Sequence, residues 1–264
     1  MTHGIVATGI AGLDPVLRGG VPRSRLYLLE GQPGSGKTTL ALQFLLNGAA
    51  LGESCLYITL SETADELGEV ARSHGWSLDA LHLFELASAQ AVLGEDQQQS
   101  VLHPWEVELD GTIKLIQAEV ERVKPTRLVF DSLSELRLLA QDSLRYRRQV
   151  LALKQYFAPR NITVFLVDDL TGNSGTRDVH LHSLCHGVIS LERLTLEFGA
   201  ARRRMQVQKL RGVDFIGGYH DLALLKGGIR VFPRLIASNH HVSFAGDPVS
   251  SGVPGIDALL GGGP

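Results

Sequence analysis

The chain has 264 residues, of which 44% are apolar, and a formal net charge of −3. This length and composition suit one large α/β domain, or one domain with a tail, and the charge gives no reason to expect a nucleic-acid partner. Two cysteines, Cys55 and Cys185, are too few for a disulfide framework and are typical of a reducing compartment. No apolar stretch is long enough to span a membrane and the N-terminus is no signal peptide, so we expect a cytoplasmic protein without a membrane partner.

A glycine-rich segment at residues 8–22 opens the chain, and residues 251–264 repeat it. The two copies share Gly9, Gly12, Asp14, Leu17, Gly19 and Gly20, which recur as Gly252, Gly255, Asp257, Leu260, Gly262 and Gly263. The repeat represents either two similar turns or the lead-ins of two tandem domains. We favour the second interpretation, which predicts a domain at 1–233, a linker at 234–250 and the truncated start of a second domain at 251–264.

The next segment matches the phosphate-loop pattern G-x-x-x-x-G-K-[ST], beginning at Gly31. An apolar run at 25–30 predicts a strand before it, and the run at 40–47 predicts a helix after it. In this setting the glycines let backbone N–H groups point at phosphate oxygens, and the helix N-terminus faces the same anion. Lys37 would reach the β- and γ-phosphates, and the Thr38 hydroxyl would bind Mg²⁺. The predicted nucleotide-binding residues of the loop are Gly34, Ser35, Gly36, Lys37, Thr38 and Thr39.

Strand-like and helical segments then alternate along the chain. Strands are predicted at 54–60, 81–86, 127–131, 162–168 and 187–191. From Thr195 to Phe232 the strands follow one another without helices, which predicts that the sheet continues antiparallel. This pattern is typical of an α/β fold with a mostly parallel central sheet, flanked by helices on both faces, and a C-terminal antiparallel extension.

Three helices are indicated between those strands. Thr63 and Glu66 have capping-box spacing at the start of the first. The second presents one apolar face and is ended by Pro125, and the third is ended by Pro159. The polar segment at 88–108, before the second helix, predicts a long surface loop and is a candidate contact for a protein partner.

Two carboxylates are candidates for completing a nucleotide site. Asp131 ends an apolar strand, where an acid can hold the water shell of Mg²⁺ opposite Thr38; alternatively, this segment only begins a helix. Glu62 follows another strand, where it can orient or deprotonate an attacking water. Its alternative role is to stabilise the first turn of the next helix by its negative charge.

Basic residues and residues of metal-binding type elsewhere in the chain are weaker candidates for site residues. Lys209 and Arg211 are two residues apart on a predicted strand, so their side chains point the same way. They form either a clamp for a phosphate or a solvated basic edge strand. The triplet at 202–204 is expected to be solvated. The cluster at 180–186 contains three histidines and Cys185, but its spacing matches no common zinc pattern, so we expect an ordinary loop without a metal.

Together these residues resemble the first ATPase domain of the KaiC family, within the RecA-like ATPases. The resemblance covers nearly the whole chain and includes the lead-in and the phosphate loop. Shorter matching segments lie at 61–63, 71–76, 130–132, 169–171, 187–189, 209–212 and 229–233. The resemblance implies that the chain binds ATP with Mg²⁺ and hydrolyses ATP slowly.

The resemblance also implies a homo-oligomer, a hexameric ring with ATP at each subunit interface. In such a ring, Lys209, Leu210 and Arg211 approach the nucleotide of the neighbouring subunit, and Ser73 lies near the nucleotide. The implied catalytic groups are then Lys37 and Glu62 together with Lys209 and Arg211, and the implied Mg²⁺ ligands are Thr38 and Asp131.

Two departures from the family pattern concern function. The family carries two adjacent glutamates after the second strand, whereas here Ser61 replaces the first, which leaves Glu62 as the candidate base. A Thr–Asp pair that helps to hold nucleotide from the neighbouring subunit is replaced by Leu225–Lys226. We therefore expect altered hydrolysis and leave open how the base and ribose are recognised.

Three functional hypotheses follow. The first is a ring ATPase acting as a timer or switch, whose full-length protein is a Ser/Thr autokinase through its second domain. The second is a recombinase-like DNA-binding ATPase, which the charge balance disfavours. The third is a nucleotide-gated module for protein interaction.

Overall fold

The computed structural model describes residues 4–86, 88, 104–140, 142–170, 179–195, 197–236 and 248–262. The chain divides into two compact units, Met1–Arg234 and Leu235–Pro264. The first unit contains a nine-stranded sheet with helices on both faces. Over the described residues, no helix is long and apolar enough to cross a membrane.

The strands and helices are numbered in chain order. The strands are β1 (Ile5–Val6), β2 (Val21–Pro22), β3 (Leu26–Gly31), β4 (Cys55–Thr59), β5 (His82–Glu85), β6 (Arg127–Asp131), β7 (Thr163–Asp169), β8 (Gly187–Leu194), β9 (Arg202–Leu210), β10 (Tyr219–Leu225) and β11 (Gly228–Phe232). The helices are α1 (Leu13–Val16), α2 (Lys37–Ala50), α3 (Ala64–His74), α4 (Pro104–Val123), α5 (Leu133–Ala140), α6 (Ser143–Phe157), α7 (Val179–Leu184) and α8 (Pro254–Leu259).

The large sheet is parallel on one side and antiparallel on the other. Its spatial order is β11-β10-β9-β8-β3-β7-β6-β4-β5. All strands from β8 to β5 in this order pair in parallel, whereas β9, β10 and β11 pair antiparallel. The predicted fold class is confirmed, including the C-terminal antiparallel extension.

Alternating side chains of the central strands enter two separate cores, because successive residues of a strand point to opposite faces. Tyr27 and Leu29 of β3 pack with helices α2 and α3. Leu26 and Leu28 pack instead with helices α4, α5, α6 and α7. Strand β3 is therefore buried on both sides, and the loop that follows it emerges from the middle of the sheet.

The lead-in before β3 is held by the carboxylate of Asp14. Its Oδ1 accepts hydrogen bonds from the Thr8 backbone N–H and hydroxyl, both at 2.7 Å, and its Oδ2 accepts one from the Gly9 N–H at 3.1 Å. The backbone N–H of Gly19 donates to the Asp14 carbonyl at 2.7 Å. The carboxylate thus closes a compact turn around α1.

The second glycine-rich segment forms the same turn in the second unit. Asp257 Oδ1 accepts hydrogen bonds from the Ser251 N–H at 2.8 Å and the Ser251 hydroxyl at 2.5 Å. The N–H of Gly262 donates to the Asp257 carbonyl at 2.7 Å. The two copies therefore share a hydrogen-bonded structure as well as a sequence.

The apolar residues of the two turns differ in burial. Leu13, Val16 and Leu17 of the first copy are fully buried in the core of the first unit. The equivalent apolar side chains of the second copy, Ile256, Leu259 and Leu260, are exposed.

The structure corrects two predictions of loops. The predicted loop at 88–108 overlaps helix α4, which begins at Pro104; residues 89–103 lie outside the described residues. Proline is favoured at the first helical position because its missing N–H is not needed there. The cluster at 180–186 begins within helix α7 rather than in a loop. No group of three or more metal-binding side chains occurs in the part of the chain that the structure describes.

A buried arginine joins the lead-in to the sheet. Arg127, only 1% exposed, starts β6 and donates to the carboxylate of Glu53. Its Nη1 donates to the carbonyl oxygens of Ala7 and Phe44, at 3.0 and 2.9 Å. Burial by itself raises the pKa of Glu53, but the hydrogen bonds from Arg127 and Arg23 outweigh burial and hold this pKa below its usual value.

Replacing Arg127 with alanine should lower the free energy of unfolding by about 3–5 kcal/mol, because it leaves Glu53 with Arg23 as its remaining partner and removes a buried donor from two carbonyl groups. Denaturant titration followed by circular dichroism measures this change. The matched control is Arg160→Ala, which breaks an exposed ion pair with Glu121 and should change stability far less. Equal effects of the two substitutions would contradict this account.

Candidate functional site

The phosphate-loop segment connects the end of β3 to the start of α2. Gly34 and Gly36 adopt positive φ angles of 74° and 109°, a conformation that favours glycine. At Gly31, a Cβ atom would lie 2.4 Å from the Leu191 carbonyl oxygen and 2.7 Å from the Ser35 hydroxyl. The loop is therefore shaped by its glycines and pressed closely against β8.

The ammonium group of Lys37 is held inside this loop. Its Nζ donates to the carbonyl oxygens of Gly31 and Gln32, both at 3.0 Å. It also forms an ion pair with Asp169 Oδ1 at 2.6 Å. Lys37 is 6% exposed, so its charge is desolvated and compensated within the site.

Asp169 is a site residue that the sequence analysis missed. It ends β7, which lies beside β3, and is level with Gly31 in the parallel register. In the sequence, Asp169 stands out only as part of the matching segment 169–171. The rule that selected Asp131, a carboxylate at the end of an apolar strand, would have selected Asp168 at the end of the strand predicted at 162–168, one residue before Asp169.

The two predicted Mg²⁺ ligands, Thr38 and Asp131, are connected through Tyr57. The phenol of Tyr57 is fully buried and donates to Asp131 Oδ2 at 2.5 Å. Burial and the nearby Asp131 raise the pKa of Tyr57 well above its usual value, while a hydrogen-bonding contribution from Thr38 lowers it. Tyr57 therefore stays protonated and remains a hydrogen-bond donor to Asp131.

Burial also raises the pKa of Asp131. The hydrogen bond from Tyr57 lowers this pKa, whereas the charge of Asp169 raises it further and that of Lys37 lowers it. A divalent cation beside Asp131 would favour its ionised form. Hydroxyl and carboxylate oxygens are the ligands that Mg²⁺ prefers, so Thr38 and Asp131 fit this ion.

Glu62 lies close to the same charges. The Thr59 hydroxyl bonds to both the N–H and the carbonyl of Glu62, at 2.9 and 2.7 Å, and thereby orients the turn after β4. Burial raises the pKa of Glu62, and so do the charges of Asp131, Glu66 and Asp169, against a smaller opposing effect of Lys37.

Two buried oxygens near the loop lack a hydrogen-bond partner among the described residues. They are the hydroxyl of Ser35 and Oε2 of Glu62. An unpaired buried polar atom costs free energy unless a ligand or water satisfies it. Their position, in the loop and beside the carboxylates, supports a polar ligand at this edge of the sheet.

Two arginines also lie at the loop. Arg193 and Arg203 are paired across β8 and β9. Arg203 Nε donates to the Gly34 carbonyl at 3.2 Å, and Arg193 Nη1 lies 3.3 Å from the position of a Cβ built on Gly34. Arg203, the middle residue of the triplet at 202–204, is half-exposed and lies within hydrogen-bonding distance of the phosphate loop.

The end of α3 lies near the start of α2. His74 Nε2 is 3.5 Å from the hydroxyl of Thr39, and His74 Nδ1 is 2.9 Å from the Leu225 carbonyl oxygen. Ser73, the neighbour of His74, donates to the Val70 carbonyl at 2.7 Å. The structure thus places the turn at Leu225–Lys226 against the chain's own helix α3.

Lys209, Leu210 and Arg211 lie at the opposite edge of the sheet from the loop. Leu210 is level with Gly187, which is level with Tyr27 near the start of β3. The span from there to Gly31 corresponds to about 13 Å of strand. These residues therefore do not reach the chain's own phosphate loop.

Both cations instead contact the end of α7. Lys209 Nζ donates to the carbonyl of His182 and, at 2.7 Å, to that of Cys185. Arg211 Nη2 donates to the Ser183 carbonyl at 3.3 Å. Burial and the charge of Arg211 lower the pKa of Lys209.

Comparison with known proteins identifies the family of this chain. A model of the KaiC ATPase family matches residues 6–236. The chain belongs to the KaiC family of ATPases. Membership of this family supports ATP binding and hydrolysis in general.

Individual members of the KaiC family and related proteins align with most of the chain. The circadian clock oscillator protein KaiC of Parathermosynechococcus lividus is 28% identical over 266 residues, which cover 97% of this chain and 47% of that protein. The UPF0273 protein PH0284 of Pyrococcus horikoshii is 28% identical over 236 residues, covering 86% of this chain and 94% of that protein. The chain thus spans about half the length of the KaiC relatives it matches.

A solved structure supports the fold. The crystal structure of the KaiC-like protein PH0186 from Pyrococcus horikoshii matches with a TM-score of 0.72 at 24% identity, over 87% of this chain and 99% of that one. The RecA-like architecture expected from the sequence is confirmed at this level.

Within this KaiC-family fold, the predicted site residues fall into two groups. The loop residues, Asp131 and Glu62 meet at the carboxyl edge of the parallel strands. Lys209, Leu210 and Arg211 lie away from them. Ser73 is exposed beside His74, and its hydroxyl donates to the Val70 carbonyl of its own helix.

The substitution Gly31→Ala should distort the loop, because its Cβ would overlap the Leu191 carbonyl and the Ser35 hydroxyl. We expect a loss of about 1–3 kcal/mol in the free energy of unfolding, measured by denaturant titration. Gly217→Ala is the control, since a Cβ there meets no atom within 4 Å. An unchanged stability in Gly31→Ala would show that the loop is not packed as described.

Proposed function

We propose that this chain binds Mg-ATP at the phosphate loop and hydrolyses it slowly. The observation that carries the proposal is the convergence of Lys37, Asp131 and Glu62 at the edge of the sheet from which the loop emerges. The loop N–H groups and Lys37 hold the phosphates, and the N-terminus of α2 adds its positive dipole end. Membership of the KaiC family of ATPases supports the same reaction.

Thr38 and Asp131 are the residues that would hold Mg²⁺. When bound, this ion neutralises charge that develops on the phosphate oxygens. Tyr57 keeps Asp131 oriented by its hydrogen bond at 2.5 Å. The role of Tyr57 is to fix which carboxylate oxygen remains available to the metal or its water shell.

Glu62 is the proposed group that orients and deprotonates the attacking water. Its raised pKa makes the ionised carboxylate a stronger base than that of an ordinary glutamate. Its Oε2 is buried without a partner among the described residues, and a bound water molecule would satisfy it. Ser61, which replaces the neighbouring glutamate of the family pattern, is exposed and supplies no second carboxylate.

The acid limb of the pH–rate profile should therefore lie above the pKa of an ordinary glutamate. Activity falls as the pH falls through the raised pKa, because protonated Glu62 cannot accept a proton. The measurement is the steady-state ATPase rate against pH at saturating Mg-ATP. Glu62→Gln should remove most of the activity.

Stability supplies an independent readout for Glu62. Because its pKa is raised in the folded state, ionised Glu62 costs stability above that pKa, and the cost disappears below the unfolded pKa. Glu62→Gln should thus be more stable than wild type at neutral pH and equally stable in acid. A variant with full activity and unchanged stability would contradict both the role and the environment of Glu62.

We also propose that the chain works in a ring, as a hexamer with ATP at the subunit interfaces. Lys209 and Arg211 lie at the edge opposite the chain's own loop, a position suited to a neighbour's nucleotide. Cations provided in trans can raise phosphoryl-transfer rates by about three to five orders of magnitude. Leu210 lies between them with its side chain buried in the core, so its contact with that nucleotide would be made by the backbone. Their hydrogen bonds to the end of α7 hold both side chains together on that edge.

Mixing two inactive variants tests action in trans. Glu62→Gln keeps the cations, whereas Arg211→Ala keeps the loop and its base. Each alone should have little ATPase activity, while an equimolar mixture should form competent interfaces in about one quarter of cases. Native mass spectrometry with ATP reports the ring size. Full activity of Arg211→Ala alone, or no recovery in mixed rings, would contradict the proposal.

The second lead-in supports a tandem arrangement in the full-length protein. The Asp257 turn repeats the Asp14 turn, but its apolar residues Ile256, Leu259 and Leu260 are exposed. A second domain of the same kind, beginning at 251, would cover them as the first domain covers Leu13. Residues 234–250 are then a linker, and the full-length protein is proposed to be a Ser/Thr autokinase that uses the ATPase as a timer or switch. The segment at 88–108 remains the proposed contact for a protein partner.

A further inference from the structure

The ammonium group of Lys37 uses all of its hydrogen-bond donors within the chain. A lysine ammonium has three N–H groups and no acceptor. Here the three partners are the carbonyl oxygens of Gly31 and Gln32 and the carboxylate of Asp169. A phosphate oxygen that accepts a hydrogen bond from Lys37 must therefore replace one of these three.

Asp169 is the partner most readily replaced. The two carbonyl groups belong to the backbone of the loop, whose path is restricted by the packing of Gly31 against Leu191. The Asp169 side chain is 31% exposed and moves by rotation about its own bonds. A phosphate oxygen and a carboxylate oxygen are also the same type of partner, an anion accepting a charge-assisted hydrogen bond.

The surrounding charges favour this exchange. Asp169 lies close enough to Asp131 and Glu62 for its charge to act on both of them. The charge of Lys37 acts on Asp131 and Glu62 in the opposite sense, and Lys37 is paired directly with Asp169. Mg²⁺ and the nucleotide bring further positive and negative charge to this edge. Of the three carboxylates, Asp169 is the one whose ion pair with Lys37 would then be broken.

We propose that Asp169 is a positioning residue that competes with the γ-phosphate of a nucleoside triphosphate for Lys37. The inference rests on the proposed function of the loop and deepens it. A triphosphate brings both its β- and its γ-phosphate to Lys37 and displaces the carboxylate, whereas a diphosphate brings only its β-phosphate and competes less strongly with the ion pair. Asp169 thus lowers the affinity for ATP relative to ADP, and the ion pair re-forms after hydrolysis.

The test compares nucleotide affinities of wild type, Asp169→Asn and Asp169→Ala. Isothermal titration calorimetry measures binding of a slowly hydrolysed ATP analogue and of ADP, each with Mg²⁺. Removing the competing anion should tighten binding of the triphosphate about tenfold, as expected for one hydrogen bond to a charged group, and should change the ADP affinity much less. The ratio of the two affinities is the decisive quantity.

Asp221→Asn is the matched control. It breaks an aspartate–arginine pair of similar chemistry on β9 and β10, where Arg202 and Asp221 are both exposed. The ratio of triphosphate to diphosphate affinity should stay at the wild-type value in this variant. A role of Asp169 in folding alone would lower stability and weaken both nucleotides together, so unfolding curves of all variants separate that case.

The outcomes distinguish the inference from the function on which it rests. If wild type binds neither nucleotide, the proposed function and the inference both fail. If wild type binds both nucleotides and the two Asp169 variants keep the wild-type ratio, or bind the triphosphate more weakly, only the inference is overturned. Asp169→Ala keeps the test informative if the asparagine variant does not fold.

Discussion

The parallel hydrogen-bond register around β3 is the constraint on which the whole site depends. Because neighbouring strands run in the same direction, their carboxyl ends meet at one edge of the sheet. The register sets Gly31 level with Asp169, and Asp131 level with Thr59. Asp131 and Asp169, which are far apart in the sequence, thereby lie close to Lys37. The loop is attached to a strand that is packed on each face by a separate core.

The phosphate loop, Asp131 and Glu62 could be predicted from the sequence because the patterns that identify them are local. The phosphate-loop pattern carries its own geometry, and Asp131 and Glu62 follow strands that composition alone identifies. Asp169 was not predicted as a site residue because its role depends on which strand lies beside β3. Strand order is a long-range property, and the apolar segments before Asp131 and Asp169 look equally suitable in the sequence.

Other features were hidden for different physical reasons. Pro104 breaks helices in their interior but is well suited to their first turn, so the same residue allows both a loop and a helix start. In β9, alternate side chains point to opposite faces. Arg202 and Arg204 pair with carboxylates, while Arg203 turns to the phosphate loop. The three consecutive arginines therefore lie in two different environments, which their sequence does not distinguish.

Strand β9 carries cationic side chains at two opposite edges of the sheet. Arg203 is near its start, at the chain's own loop, and Lys209 is near its end, at the opposite edge of the sheet. Strand β9 is extended except for one register irregularity at Gln208, so the interval between them is at most about 20 Å of backbone. In a ring of the proposed kind, β9 would act as a rigid spacer between consecutive nucleotides. A single-residue insertion in this strand would alter the spacing and reverse the facing of every side chain beyond it.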